Sequence, residues 1–183
     1  MNVRIAALCF VPLLTGTAQA ESLVPTAPLP PIEYVGSVAG DELYMQLKSD
    51  PLFAHLDKNL VGSAITLRVT HSFQPTSGGM ATGLASAIWA GGTLGLLPVV
   101  VNSDLVITYE IIVNDTVLTT YSYQKNFTRA VNIYSTDATY GLGKDGLAWA
   151  KDTAAQFAAS AAKDEKLAAL QTEYKFYFGA LAK

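Results

Sequence analysis

Apolar and polar side chains alternate most strictly over 105–113, LVITYEIIV, where Leu105, Ile107, Tyr109, Ile111 and Val113 share one side of an extended chain. After Asn114-Asp115, the alternation resumes over 116–128, with Val117, Thr119, Tyr121 and Tyr123 set against Leu118, Thr120, Ser122 and Gln124. Asn and Asp tolerate positive φ, so the pair reads as the turn of a β-hairpin over 105–128. The second strand continues towards RAVNIY, with a bulge expected near Arg129. Residues 61–73 predict another strand, in which Ile65, Leu67 and Val69 alternate with Thr66, Arg68 and Thr70. On that parity Glu110 faces solvent or a strand neighbour such as Arg68.

The period changes elsewhere. From Asp145, taken as a cap, Leu147, Ala150, Ala154, Phe157, Ala161, Leu167, Leu170, Tyr174 and Leu181 recur at helical spacing in alanine-rich sequence, predicting a long C-terminal helix, either continuous or broken near Lys163-Asp164. Near the other end, Asp41 heads a short helix bearing Leu43 and Leu47, and Asp50-Pro51 marks a second helical start before Leu52, Phe53 and Leu56. These elements define an α+β domain: a small antiparallel sheet of about three strands, short N-terminal helices and a long C-terminal helix on one face.

The segment between the first strand and the hairpin fits neither period cleanly. No Asp, Glu, Lys or Arg occurs between Arg68 and Asp104, and small residues recur every four positions at Gly79, Gly83, Ala87, Gly91 and Gly95. On a helix these five form a shallow groove for close approach of a second helix, the logic of small-residue packing in membranes. In water the same helix is poor. Its four groove glycines and neighbouring Gly92 cost about 5 kcal/mol relative to alanine, against a total domain stability of about 5–15 kcal/mol. Three readings follow: a buried loop-and-helix pair over the sheet, an apolar hairpin that dips into a membrane or binds a partner, and a single membrane span. A span separates its flanking strands across the bilayer, whereas a shared sheet needs them together. Gly91-Gly92 and Pro98 favour a turn. The hairpin is therefore the working expectation, with Gly79, Gly83, Ala87, Ile88, Trp89, Gly91, Gly95, Leu96 and Leu97 as contact residues for a membrane or partner protein, and self-association through the small-residue face as a further expectation.

Addressing signals change the setting. Arg4, the apolar run 5–14 and Ala18-Gln19-Ala20 have the layout of a secretory leader over 1–20, cleaved before Glu21. The next stretch, 21–32, contains four prolines and reads as an extended linker. A single domain over 33–183 follows, with the apolar insertion at 74–103. The expected location is the periplasm or the periplasmic face of a membrane. Cys9, the lone cysteine, lies inside the leader, so the mature chain is expected to carry no disulfide and no cysteine-based chemistry.

Within this frame, GGTLGLLPVVVNSDLVITYEI followed by YSYQKNFT resembles a pattern in uncharacterised proteobacterial envelope proteins, often lipoproteins, with TLGLLP at 93–98 carrying the match. Those proteins share a strand, a glycine-rich apolar insertion and an antiparallel hairpin. The resemblance covers about residues 60–128. It implies an envelope location and brings no known activity. The chain departs from the lipoprotein members at Cys9, which Leu8 precedes and Phe10 follows, without the small residue of a lipidation site.

Composition removes several function classes. The formal net charge is −3, and no basic stripe is present, which argues against nucleic acid as a partner. His55 and His71 are the only histidines, and neither has a second histidine or a carboxylate at metal-ligand spacing. No lysine follows the glycines in the manner of a phosphate loop, and Ser77 and Ser86 lack a nucleophile-elbow context. Gly141-Leu142-Gly143-Lys144 reads as a helix entry. No metal and no cofactor is expected, and catalysis would require His71, Glu110 or Asp104 to meet in one cleft. The expectation is a non-catalytic envelope protein. The alternative is a soluble periplasmic module whose insertion and tyrosine-bearing sheet wall a pocket for an apolar ligand.

Overall fold

The structure is a computed structural model that describes residues 28–78, 80, 85–88, 99–131 and 142–179. Its centre is a five-stranded mixed sheet, built from β1 (Ile32–Gly36), β2 (Leu56–Asp57), β3 (Ile65–Pro75), β4 (Val99–Val113) and β5 (Thr116–Val131) in the order β2-β1-β3-β4-β5. Among the described residues, three α-helices with full bounds accompany it, α1 (Gly40–Lys48), α2 (Gly143–Ala161) and α3 (Glu165–Phe178), beside shorter helical stretches at 77–78, 80 and 85–88. The α+β class is as the periodicity predicts, but the sheet has five strands where about three were expected, and it is mixed. The added strands are short. β1 runs parallel to both β2 and β3, pairing Tyr34 with Leu67 and Ile32 with Leu56. A parallel neighbour needs a crossover, which α1 supplies. A five-residue strand with only Ile32 and Tyr34 buried carries too short an alternation to stand out behind the prolines.

The end of the proline-rich stretch belongs to the body. Leu29 is buried, its N–H donates to the Leu52 carbonyl (2.8 Å), and its own carbonyl meets His55 Nδ1 at 3.1 Å. At the second helical start Asp50 accepts from the Leu52 N–H (2.9 Å), but the helix it caps is a single 3-10 turn, Pro51–Phe53. Asp41 and Asp145 are not caps. The capping positions are Ala39 and Leu142, and both aspartates sit in the first helical turn, where negative charge favours the helix dipole.

The hairpin is longer than the strict alternation, with β4 and β5 paired from Val113–Thr116 out to Val99–Val131. Asn114 (φ 48°) and Asp115 (φ 62°) both adopt the left-handed conformation of a two-residue hairpin turn. The bulge lies at the turn end: Ile111 pairs with Thr119 and Ile112 with Val117, leaving Leu118 as the extra residue. The C-terminal helical region is broken at Lys163-Asp164, the second of the two expected forms. α2 ends at Ala161, and Asp164 restarts the chain as the cap of α3, accepting from Lys166 N–H at 2.8 Å. A side-chain cap there lets the chain turn while the apolar spacing continues, so periodicity alone does not decide between the two forms.

The odd-numbered residues of β4 face the helices and are fully buried from Leu105 to Ile111. Phe157 of α2 stacks on Tyr109 (4.5 Å between centroids, 8° between planes) and on Phe53, with the edge of Tyr121 against it. Tyr109 Oη meets Thr153 Oγ1 at 2.9 Å. The tyrosines of the hairpin thus fill the layer between sheet and helices. The even-numbered face is polar: Arg68 donates to Glu110 (2.8 Å), Thr108 meets Ser122 (3.1 Å), and Asp104 accepts from Gln124 and Asn126 (3.0 and 2.8 Å).

Candidate functional site

Of the residues proposed for contact, Ala87 and Ile88 are described, and they lie beside the first residues of β4, past the end of β3. β3 and β4 pair without interruption from Ile65–Val113 to Pro75–Ser103. The chain leaves and re-enters at the same end, about 33 Å from the hairpin turn at the usual strand rise. The root is fastened by polar groups. Thr76 Oγ1 donates to the Asn102 carbonyl (3.3 Å), and the Met80 N–H donates to the Thr76 carbonyl (2.9 Å). Ser86 is held twice to the first residues of β4, its hydroxyl donating to the Val100 carbonyl (3.2 Å) and accepting from the Val100 N–H (3.1 Å). Residues 85–88 are helical around it. Beyond this clamp Ala87 is exposed, Ile88 is 76% exposed and Met80 56%. Gly79, Gly83, Trp89, Gly91, Gly95, Leu96 and Leu97 lie outside the described residues. From the sequence Ser86 is weighed only as a nucleophile, and its clamping role appears with the fold. Its signal is a hydroxyl within an apolar helical turn, close enough in sequence to reach the returning strand.

The opposite end carries a second apolar surface. α3 buries Leu167, Ala168 and Gln171 in its first half, then presents Phe176, Tyr177 and Phe178 at 79, 62 and 50% exposure. Its Tyr174 separates two adjoining grooves. One, of about 750 Å³, runs past Val61, Ile65, Val113, Leu170, Tyr177 and Phe178. The other, of about 520 Å³, runs past Pro28, Pro31, His55, Leu56, Lys48 and Lys175. On the tyrosine face Tyr109 is fully buried and Tyr121 and Tyr123 are partly buried against the core, while most of the insertion expected to wall a pocket with them lies outside the described residues.

The residues a catalytic reading required do not converge. His71 pairs with Ile107 on the helix-facing parity, whereas Asp104 and Glu110 belong to the polar face. His71 is partly buried, its Nδ1 has no hydrogen-bond partner, and burial holds its pKa below the ordinary imidazole value. Among the described residues, no three His, Cys, Asp or Glu side chains gather as a metal site.

Asp164 at the α2–α3 corner is the carboxylate with the most hydrogen-bond donors among the described residues. It accepts from Thr119 Oγ1 (2.9 Å) and from the Tyr121 hydroxyl. Burial pushes its pKa up, but the hydrogen bonds from Tyr121, Thr119 and the Lys166 and Leu167 N–H groups outweigh it, and the net shift is downward. Tyr121 is shifted upward by burial and by donating to this carboxylate. These groups tie the helix corner to β5, a structural use of the charge.

No family model matches the chain, and no curated protein matches it. Among solved structures it is similar to a minor lipoprotein from Acinetobacter baumannii, with 19% identity over 74% of this chain and 93% of that one, at a TM-score of 0.34. It is also similar to rare lipoprotein B from Shewanella oneidensis, with 9% identity over 82% and 98% of the two chains and a TM-score of 0.28. Superpositions this loose fix neither the fold family nor the activity of this chain.

Proposed function

We propose that this chain is a non-catalytic component of the bacterial cell envelope, attached to a membrane or a partner protein through the insertion that joins β3 to β4. The observation that carries the reading is the exposure of Ile88 and Met80 beyond a root clamped by Ser86 and by the Pro75–Ser103 pair. Large apolar side chains held outward on a fixed base cost solvation free energy until something covers them. The shared sheet end favours an insertion that goes out and returns, and no helix among the described residues is long and apolar enough to cross a membrane. The leader-like sequence at 1–20 supports delivery to the periplasm.

The test is fractionation of cells after high-salt and carbonate washing. The native chain stays with the membrane pellet, and the Met80→Asp, Ile88→Asp double variant moves to the soluble fraction with an unchanged melting temperature. A native chain that is wholly soluble, monodisperse and free of partners overturns attachment.

The grooves beside Tyr174 favour a second reading, a module that binds an apolar ligand at the opposite end. Native mass spectrometry of the purified chain then detects a co-purifying small molecule that Tyr177→Asp removes. Consistently empty protein counts against it.

A further inference from the structure

The outer edge of β5 is the longest unpaired hydrogen-bonding surface among the described residues. β5 spans 16 residues and ends the sheet on that side, whereas the opposite edge is closed by the two-residue β2. Natural sheet edges are usually blunted by charge, proline or shortness. Between Thr116 and Thr128, β5 has no proline, no glycine and one charged residue, Lys125. The Leu118 bulge and the Lys166 ammonium, which donates to the Leu118 carbonyl (3.1 Å), protect only the turn end.

We propose that β5 pairs antiparallel with β5 of a second copy about a two-fold axis at Ser122, making one continuous sheet. The sequence is self-complementary in this register. Tyr121 meets Tyr123 of the other copy on the helix-facing side. Lys125 meets Thr119, whose hydroxyl donates to the Asp164 carboxylate, so a cation of one edge faces the carboxylate beside the other. Ser122 meets itself and Thr120 meets Gln124, with no like charges opposed. The pairing runs from Thr119 to Lys125 and stops at the Leu118 bulge. A register centred on Tyr121 sets Lys125 against Val117, which the bulge turns to the other face, and forfeits the charge match.

The helices also fit. Phe157 touches Tyr109 of β4 and Tyr121 of β5, so α2 lies over the last two strands. Extending the sheet by one strand spacing brings the two α2 helices about 10 Å apart, the separation of packed helices. The pairing points the two insertions out of opposite ends of the joined sheet. A dimer therefore presents two attachment points facing apart, and its formation does not depend on what the insertion binds.

Cross-linking tests the register directly. In a Cys9→Ser background, Ser122→Cys places two thiols across the axis with Cα atoms about 5 Å apart, within disulfide reach. Oxidation is expected to give a covalent dimer. Asn126→Cys, which lies outside the paired stretch and far from its own mate, is expected to give none. Light scattering on the native chain gives the mass of two copies in the micromolar range, and Lys125→Glu raises the dimer dissociation constant at least about tenfold with an unchanged melting temperature. A native monomer throughout that range, equal linking by both cysteine variants, or a dimer in which Ser122→Cys fails to link overturns the proposal.

Discussion

Phe157 and Asp164 show how single residues close this fold. Phe157 touches three rings drawn from the 3-10 turn, β4 and β5. Its burial was legible, because it lies on the apolar stripe of a helix. Its partners were not, since periodicity names a face without naming what lies against it. Asp164 is the opposite case, a carboxylate that reads as surface and becomes the junction of α2, α3 and β5. Replacing it with alanine removes the cap of α3 and the acceptor for two hydroxyls, and is expected to cost about 1–2 kcal/mol at neutral pH. Its folded-state pKa is lowered, so its contribution is fully present above the ordinary carboxylate value and is lost as pH falls through the lower, folded value. Urea titrations of the native chain and Asp164→Ala across that acidic window test the sign: the two curves separate at neutral pH and converge in acid.

At the scale of elements, the hairpin was the most legible part, because alternation and turn chemistry agreed. Asn114 and Asp115 both hold positive φ, a conformation costing about 1–2 kcal/mol for side chains without their local hydrogen-bonding options. Asp115→Gly is therefore expected to raise the urea midpoint and Asp115→Val to lower it, with a stability loss of about 1–2 kcal/mol; midpoints that move together would contradict the turn geometry. β1 and β2 were illegible for a different reason. Their pairing joins residues on either side of α1, and five- and two-residue segments hold too few alternations to show a period. The division of the C-terminal helix near Lys163-Asp164 stayed undecided because both pieces keep their apolar faces towards the body, so the stripe passes through the break.

The whole molecule separates its two apolar surfaces. The insertion root lies at the Pro75–Ser103 end of the sheet, and the aromatic end of α3 lies near Ile65 and Val113. Ile88→Asp and Tyr177→Asp share no neighbours across about 33 Å of sheet, so their effects are expected to add. Membrane recovery should respond to the first alone, ligand retention to the second alone, and the double variant should show both changes with a thermal shift equal to the sum. A double variant that departs from the sum would indicate that the two ends communicate. The insertion itself was legible as an exceptional segment, through the absence of charge and the spacing of its glycines. Its root was not, since Ser86 and Val100 become neighbours only when the strands pair.

The hairpin, the strand before it, the helical C-terminal region and the apolar character of the insertion were all written in the residues. Each follows from residues a few positions apart, where backbone period and local turn chemistry act directly. The mixed order of the sheet, the contacts of the Asp164 corner, the separation of His71 from Asp104 and Glu110, and the placing of exposed aromatics at the end opposite the insertion arise with the packed fold. These depend on which faces meet across long stretches of chain, and burial and hydrogen bonding select that pairing only once the whole core assembles.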